Sequence, residues 1–154
     1  MGDAAGPAAL TGSTRLAAVI GSPVRHSRSP ALINAAFASA GLDWAFVALE
    51  VAPGDAAAAI DAMRVLGLGG LSVTMPHKHD VIARLDRLTP DAAALDAVNC
   101  VAWDGDELVG HNTDGIGYMQ SIKDAGYDIT GKNMTLPGAG GATTATRVQA
   151  APAG

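Results

Sequence analysis

Between residues 16 and 100, short apolar segments alternate with amphipathic ones, and this alternation limits the possible folds more than any other feature. The first apolar segment, Leu16–Ile20 (LAAVI), is typical of a buried strand, and it ends at Gly21 and Pro23. Further strands are predicted at Trp44–Val51 and Leu71–Thr74, and helices at Pro30–Ala40 and Asp55–Leu66. Strands and helices in this order predict an α/β fold with a mostly parallel sheet flanked by helices.

Local signals predict where these helices begin and end. Ser29 before Pro30 is typical of an N-cap followed by the first helical residue, and Gly41 is placed to end that helix. In the second helix, apolar residues at 60, 63 and 66 are predicted to share one face. The later elements are predicted to be a weak helix His79–Leu88, a short helix Asp91–Leu95 after Thr89-Pro90, a hairpin of Val98–Trp103 and Glu107–Gly110, and a helix from Thr113 or Asp114 to Ala125.

Composition changes at both ends of the chain suggest three regions. Residues 1–14 are rich in Ala, Gly, Ser and Thr and are interpreted as a flexible tail. Residues 15–130 are predicted to form one domain. Residues 131–154 are predicted to begin a second βα unit. They would supply a strand at Asn133–Leu136, a glycine turn and a helix at Ala142–Ala151.

Composition and charge argue against several classes of protein. The net charge is −5 and the ten Lys and Arg are scattered, which argues against a nucleic-acid partner. No apolar run reaches the roughly 18 residues of a membrane helix, and the first residues lack the pattern of a signal peptide. Cys100 is the only cysteine, so no internal disulfide can form, which is compatible with the cytoplasm. The four histidines show no metal-site spacing, so we expect no metal.

Polar loops next to the predicted strands are the candidates for chemistry, since ligands of open α/β sheets bind beyond the carboxyl ends of strands. Ser27 and Ser29 lie at a helix N-terminus, where hydroxyls, backbone N–H groups and the helix dipole favour an anion. It is equally consistent with the sequence that Ser29 only caps the helix and binds no anion. Asn99 has apolar neighbours, so its amide needs a partner, either a ligand hydroxyl or a backbone turn.

Lys78 and Asp114 are the candidate acid and base. Lys78 follows a strand end and Pro76, and burial would let it act as a proton donor or acceptor. Asp114 opens a helix, where it either caps the helix or pairs with Lys78. Such a pair around a carbinol suits a dehydrogenase, which must remove the hydroxyl proton as hydride leaves the carbon. The alternative is that Lys78 is a solvated surface lysine without a role in chemistry. The adjacent His77 and His79 are interpreted as pocket rim or surface.

Five motifs in order resemble shikimate dehydrogenases, including the broader quinate/shikimate branch. They are HSRSP (26–30), VTMPHK (73–78), AVN (97–99), NTDG (112–115) and GAGGA (138–142), and the resemblance spans about residues 16–151. Two residues depart from the family pattern. Ser72 stands where Asn is common, and Pro137 precedes the glycines where an apolar strand residue is usual.

The resemblance implies that residues 15–130 are a substrate-binding catalytic domain and that residues 131–154 are the truncated start of a dinucleotide-binding domain of the Rossmann type. It also implies a role for each matching residue. It implies a substrate site in which the two serines hold the carboxylate and the others bind ring hydroxyls: Ser27, Ser29, Thr74, Asn99 and Asp114. It implies that Lys78, beside Asp114, is the catalytic acid and base. It implies that NADP(H), with NAD as the alternative, lies against Gly138, Ala139, Gly140, Gly141 and Ala142.

The implied activity is the NADP(H)-dependent interconversion of 3-dehydroshikimate and shikimate in chorismate and aromatic amino-acid biosynthesis, in the cytoplasm. We expect little activity from the chain alone. A nucleotide-binding βαβ unit needs about 30 or more residues, and residues 131–154 supply only one strand and one helix of it. Two alternatives stay open: a quinate/shikimate dehydrogenase of broader specificity, and a non-catalytic remnant that binds shikimate. The sequence leaves the oligomeric state open.

Overall fold

The computed structural model of this chain describes residues 10–133, together with Thr135 and Thr146. Several predicted features therefore lie outside the described residues. They are most of the tail 1–14, half of the strand Asn133–Leu136, the glycine turn Gly138–Ala142 and most of the helix Ala142–Ala151. The division of the chain near residue 131 stays a prediction.

A six-stranded sheet lies at the centre of the described chain. Its strands are β1 (Arg15–Gly21), β2 (Trp44–Glu50), β3 (Gly70–Val73), β4 (Arg87–Leu88), β5 (Cys100–Asp104) and β6 (Glu107–His111). Across the sheet they follow the order β2-β1-β3-β5-β6-β4. β1 is parallel to β2 and β3, and β4 is parallel to β6, whereas β5 is antiparallel to both β3 and β6. The predicted α/β fold with a mostly parallel sheet is confirmed.

Helices connect these strands and cover the sheet. They are α1 (Ser29–Ser39), α2 (Ala56–Leu66), a 3₁₀ helix (Asp80–Arg84), α3 (Pro90–Leu95) and α4 (Asp114–Asp124). Thr89 caps α3 as its sequence indicates, since its hydroxyl accepts from the Ala92 N–H at 3.4 Å. In α2, Ile60 and Met63 are fully buried as predicted. Leu66 is 70% exposed, so its predicted place on that face is wrong; it is the last residue of α2.

β1 is buried on both faces, which is why its sequence is an unbroken apolar run. Ile20 belongs to the core cluster that includes Ile60 of α2. Val19 points to the opposite face and belongs to a second core cluster, against which Phe37 of α1 packs. Complete burial of a side chain such as Ile60 stabilises the fold by roughly 1.5–3 kcal/mol. β1 is thereby held between two helical layers, and its carboxyl end is set rigidly at the edge of the sheet.

The predicted helix His79–Leu88 is wrong. A 3₁₀ helix occupies Asp80–Arg84, and the chain then becomes extended to form β4 beside β6. The Asp86 N–H donates to the Leu108 carbonyl at 3.0 Å, and the Leu108 N–H donates to the Asp86 carboxylate at 2.7 Å. Backbone pairing with a strand distant in sequence therefore overrides the weak local helical pattern.

The Asp86 carboxylate accepts hydrogen bonds from two separate elements of the fold. Its carboxylate accepts from the Leu108 N–H and, at 2.8 Å, from Arg64 Nη2 of α2. The Leu108 hydrogen bond, followed by the Arg64 hydrogen bond, lowers the pKa of Asp86 below its ordinary value. Ionised Asp86 therefore links α2 to the edge of the sheet.

Replacing Asp86 with Asn should lower the stability of the fold at neutral pH and have less effect in acid. A carboxyl with a lowered folded pKa contributes stability above its unfolded pKa, about 3.9, and this contribution is lost as the pH falls through the folded pKa. Urea unfolding of both proteins should be followed from neutral pH downwards. A difference in stability that stays constant over that range would contradict this assignment.

Gly110 in β6 is required by close packing. A Cβ at this position would lie 2.6 Å from Leu85 Cδ1, 2.7 Å from Val98 Cγ2 and 2.8 Å from Leu88 Cδ2. All three neighbours belong to or pack against the core cluster that contains Ile20 and Ile60, so they have little room to move.

Replacing Gly110 with Ala should therefore destabilise the protein by roughly 1–3 kcal/mol. The matched control is Gly117→Ala in α4, where a Cβ would meet no atom of the described residues within 4 Å. There the same change should stabilise by about 0.5–1 kcal/mol, because alanine favours a helix interior. Urea unfolding measures both values. Equal effects of the two substitutions would rule out the packing explanation.

Candidate active site

The polar loops meet at one edge of the sheet, where a cleft of about 610 Å³ opens. β1, β3 and β6 end at this edge, and β5 begins there because it runs antiparallel to its neighbours. The cleft is lined by all the residues predicted to be catalytic or substrate-binding: Ser27, Ser29, Thr74, Lys78, Asn99 and Asp114. Residues from separate loops and helix ends are thus brought together.

Lys78 and Asp114 form an ion pair within this cleft. Lys78 Nζ lies 2.5 Å from Asp114 Oδ2, although the two residues are 36 positions apart. Their side chains are 26% and 29% exposed, so both charges are partly shielded but remain open to the cleft. Of the alternatives considered from sequence, the pair is present and the solvated lysine is not.

The backbone around Lys78 is bonded to the sheet on two sides. The Thr74 N–H donates to the Ile20 carbonyl at 2.9 Å, which joins the start of the turn to β1. The Lys78 carbonyl accepts from the Val98 N–H at 2.7 Å, which joins its end to the segment before β5. The loops approach closely here: a Cβ on Gly21 would lie 2.4 Å from Thr74 Cγ2. These backbone contacts therefore hold the main chain of the turn that carries Lys78.

Asp114 is positioned by the start of α4 and by Asn99. α4 begins at Asp114, and Thr113 is its N-cap residue. Within the described residues, the Thr113 side chain makes no capping hydrogen bond. Asn99 Nδ2 donates to Asp114 Oδ1 at 2.7 Å, and the Asp114 N–H donates to Asn112 Oδ1 at 3.2 Å. The helix dipole favours a carboxylate in this first turn. One carboxylate oxygen thus contacts Lys78 and the other contacts Asn99.

Asn99 reaches the cleft because of the direction of β5. It lies just before β5, and the reversed direction of that strand brings its start to the edge where its neighbours end. The Asn99 amide bonds to Thr113 as well as to Asp114, with Nδ2 3.0 Å from Thr113 Oγ1 and Oδ1 3.0 Å from the Thr113 N–H. Its partner in the described structure is therefore the start of α4.

Ser27 and Ser29 lie at the N-terminus of α1 on another wall of the cleft. The predicted capping role of Ser29 is wrong: Arg28 is the N-cap residue, and Ser29 is the first helical residue. α1 begins at Ser29, one residue earlier than predicted, so Pro30 is its second residue. Ser27 Oγ accepts from the Ser29 N–H at 3.2 Å. The first N–H groups of a helix have no partner within it, so this wall suits an anion.

His77 is buried completely, so its interpretation as rim or surface is wrong. Its Nε2 lies 2.8 Å from the Val51 carbonyl. His79, on the other side of Lys78, is exposed and lies 3.1 Å from Asp96, as expected for a surface residue. The sequence shows two similar histidines, and only the course of the turn separates them.

Several polar residues in or beside the cleft were given no substrate-binding role from sequence, among them Ser22 and His26, which line it. Asn112 is buried and its Nδ2 donates to the Ala97 carbonyl at 2.9 Å, which holds the loop before Asn99. Thr113 and Ser72 line the cleft. The position of Asn112 beside Asp114 in a polar loop was the only available signal, and it does not distinguish a structural amide from a binding one.

The residues predicted to bind the cofactor, Gly138–Ala142, lie outside the described residues. Among the residues that the structure describes, no group of three or more His, Cys, Asp or Glu side chains could hold a metal ion. Within the same part of the chain, no helix combines the length and the apolar character needed to cross a bilayer.

Comparison with known proteins gives a consistent result. The family described as "shikimate dehydrogenase substrate binding domain" matches residues 19–101. The chain is similar to a shikimate dehydrogenase (NADP(+)) of Geobacter metallireducens, with 47% identity over 137 residues, which cover 88% of this chain and 48% of the relative. The chain spans about half the length of the curated relatives that it matches.

Solved structures show the same relationship. A shikimate 5-dehydrogenase of Listeria monocytogenes in complex with shikimate and NAD has a TM-score of 0.89 and 46% identity, over 94% of this chain and 50% of that one. A shikimate 5-dehydrogenase of Thermus thermophilus in complex with NADP(H) and shikimate has a TM-score of 0.81 and 32% identity, over 91% of this chain and 53% of that one.

Cys100 provides a chemical probe of the cleft, because it is the only cysteine and lines the cleft wall. Burial raises the pKa of its thiol above the ordinary value. Since the thiolate is the reactive form, iodoacetamide should alkylate Cys100 more slowly than a small thiol at neutral pH. The rate should keep rising with pH beyond the range of a small thiol. The urea-unfolded chain is the control and should react like the small thiol; equal folded and unfolded rates would contradict the burial effect.

Proposed function

Because this chain belongs to the shikimate dehydrogenase family, we propose that it forms the substrate-binding part of an NADP(H)-dependent enzyme that interconverts 3-dehydroshikimate and shikimate. The Lys78–Asp114 ion pair in a cleft at the edge of the sheet carries this proposal. It supplies the proton-handling group that the oxidation of a carbinol or the reduction of a ketone requires. The family comparison supplies the class of substrate.

The substrate lies in the cleft with its carboxylate at the N-terminus of α1. The hydroxyls of Ser27 and Ser29 donate to the carboxylate there, and the helix dipole favours the same charge. Thr74 and Asn99 bind ring hydroxyls on the facing wall. This arrangement uses the anion-favouring wall for the one charged group of shikimate and leaves the ion pair for the reacting oxygen.

Proton transfer takes place between Lys78 and the oxygen of the reacting carbon. In the direction of reduction, the Lys78 ammonium donates a proton to the carbonyl oxygen while hydride reaches the carbon. In the direction of oxidation, the neutral Lys78 amine takes the hydroxyl proton. Asp114 Oδ2 holds the ammonium in place and Asn99 holds the carboxylate, so the pair keeps its geometry in both directions.

When bound, the nicotinamide of the cofactor would donate or accept the hydride. The cleft fits such a reaction, because Lys78 and Asp114 line it and remain partly exposed to it. Gly138–Ala142 are proposed to approach the pyrophosphate of NADP(H). NAD is the alternative cofactor, and quinate, which has a saturated ring and one more hydroxyl, is the alternative substrate. A cytoplasmic location is proposed from the single thiol Cys100.

Calorimetric titration of this chain with shikimate tests the proposed site. The chain should bind shikimate, and Lys78→Met and Asp114→Asn should each weaken binding by about 10-fold to 100-fold, the cost of losing a charge-assisted hydrogen bond of about 1.5–3 kcal/mol. Lys123→Met and Asp124→Asn are matched controls on exposed positions of α4 and should keep the original affinity.

Absence of binding at millimolar shikimate would contradict the proposed site. Equal losses in the site and control variants would contradict the roles of Lys78 and Asp114. Titration with quinate in parallel distinguishes the two substrates, since the preferred one binds more tightly. NADP-dependent oxidation of shikimate by the same chain distinguishes catalysis from binding alone.

A further inference from the structure

His77 is a fully buried histidine directly before Lys78, and its ring is bonded on one side only. Nε2 lies 2.8 Å from the Val51 carbonyl. The other ring nitrogen, Nδ1, has no hydrogen-bond partner among the residues that the structure describes. A carbonyl oxygen can only accept, so Nε2 carries the hydrogen and donates it to Val51.

A buried polar atom without a partner is unfavourable. An apolar side chain of similar size would avoid that cost but would leave the Val51 carbonyl without this donor. The hydrogen bond from Nε2 is what distinguishes His77 from such a side chain. Its consequence for the neighbouring residues therefore decides what His77 does.

The hydrogen bond joins the turn that carries Lys78 to the end of β2. Val51 follows β2, and its N–H donates to the Gly21 carbonyl at the end of β1 at 3.1 Å. The turn itself is bonded to β1 through the Ser22 N–H, which donates to the Met75 carbonyl at 3.0 Å. His77 is thus the side-chain link between the turn and a network that joins the ends of two strands.

Lys78 is consequently held on both sides of its Cα. On one side, His77 is bonded to Val51. On the other side, the Lys78 carbonyl accepts from the Val98 N–H at 2.7 Å. The side chain of Lys78 then has to extend only from this fixed base to reach Asp114.

We propose that His77 is a positioning residue, which orients Lys78 towards Asp114 through its hydrogen bond to the Val51 carbonyl. This proposal rests on the proposed function, in which Lys78 transfers the proton. His77 itself does not line the cleft or touch the substrate. Its effect on the reaction passes through the geometry of Lys78.

The test compares three variants. His77→Leu removes the donor. His77→Gln keeps an N–H at about the position of Nε2 and should restore the contact. His79→Leu is the matched control, since His79 also adjoins Lys78 but is exposed. If His77→Leu does not give the circular dichroism spectrum of the original chain, His77→Phe, which keeps a planar ring without a donor, takes its place under the same criteria.

The first measurement is the rate at which an amine reagent modifies Lys78, followed by mass spectrometry. Lys123 and Lys132 are the only other lysines and serve as internal references. His77→Leu should raise the relative rate at Lys78 about threefold or more, because the ammonium loses its fixed contact with Asp114. His77→Gln and His79→Leu should leave the ratio within the error of the original chain. An unchanged ratio in His77→Leu would overturn the proposal.

The second measurement is a double-mutant cycle on shikimate affinity. His77→Leu should weaken binding about tenfold in the original chain but less than twofold when Lys78 is already Met, because His77 acts through Lys78. Equal weakening in both backgrounds would show a role independent of Lys78 and would overturn the proposal. If the original chain does not bind shikimate, the proposed function fails, and the labelling of Lys78 still decides the role of His77.

Discussion

The reversed direction of β5 decides where the polar loops of this protein meet. The other five strands run in one direction, so the loops after β1, β3 and β6 reach the same edge of the sheet. A parallel β5 would carry Asn99 to the opposite edge, about the length of a five-residue strand away. Because β5 is antiparallel, Asn99 instead lies beside Asp114, and the carboxylate has a partner on the side away from Lys78. The geometry of the whole cleft follows from this pairing.

The ion pair at the centre of the cleft contributes little to folding. Pairs in contact with solvent are worth about 0–1 kcal/mol, and the Lys78 and Asp114 side chains are about a quarter exposed. The backbone bonds around them hold the loops, with the Lys78 carbonyl bonded to Val98 and the Asn112 amide bonded to Ala97. The pair is therefore held by the fold more than it stabilises the fold, as expected for groups kept for their chemistry.

Much of the fold could be predicted because its signals are local. The apolar run of β1, the Thr89-Pro90 start of α3 and the turn at Gly105 each depend on a few neighbouring residues. The failures have non-local causes. Arg87 and Leu88 are extended because β6 offers a free edge, and a helical pattern along the chain carries no sign of that edge. His77 and His79 look alike in sequence, yet one packs into the interior and the other faces solvent.

The sequence by itself determined the class of fold and the residues available for chemistry, since periodicity and polar loop motifs record burial and turns one segment at a time. The resemblance of its motifs to those of a known family also implied that Lys78 lies beside Asp114. Only the tertiary structure decided which strands are neighbours, that Asn99 holds Asp114, and that His77 is anchored to Val51. Each of these contacts joins segments well separated along the chain, and such contacts form only when the whole sheet has been assembled.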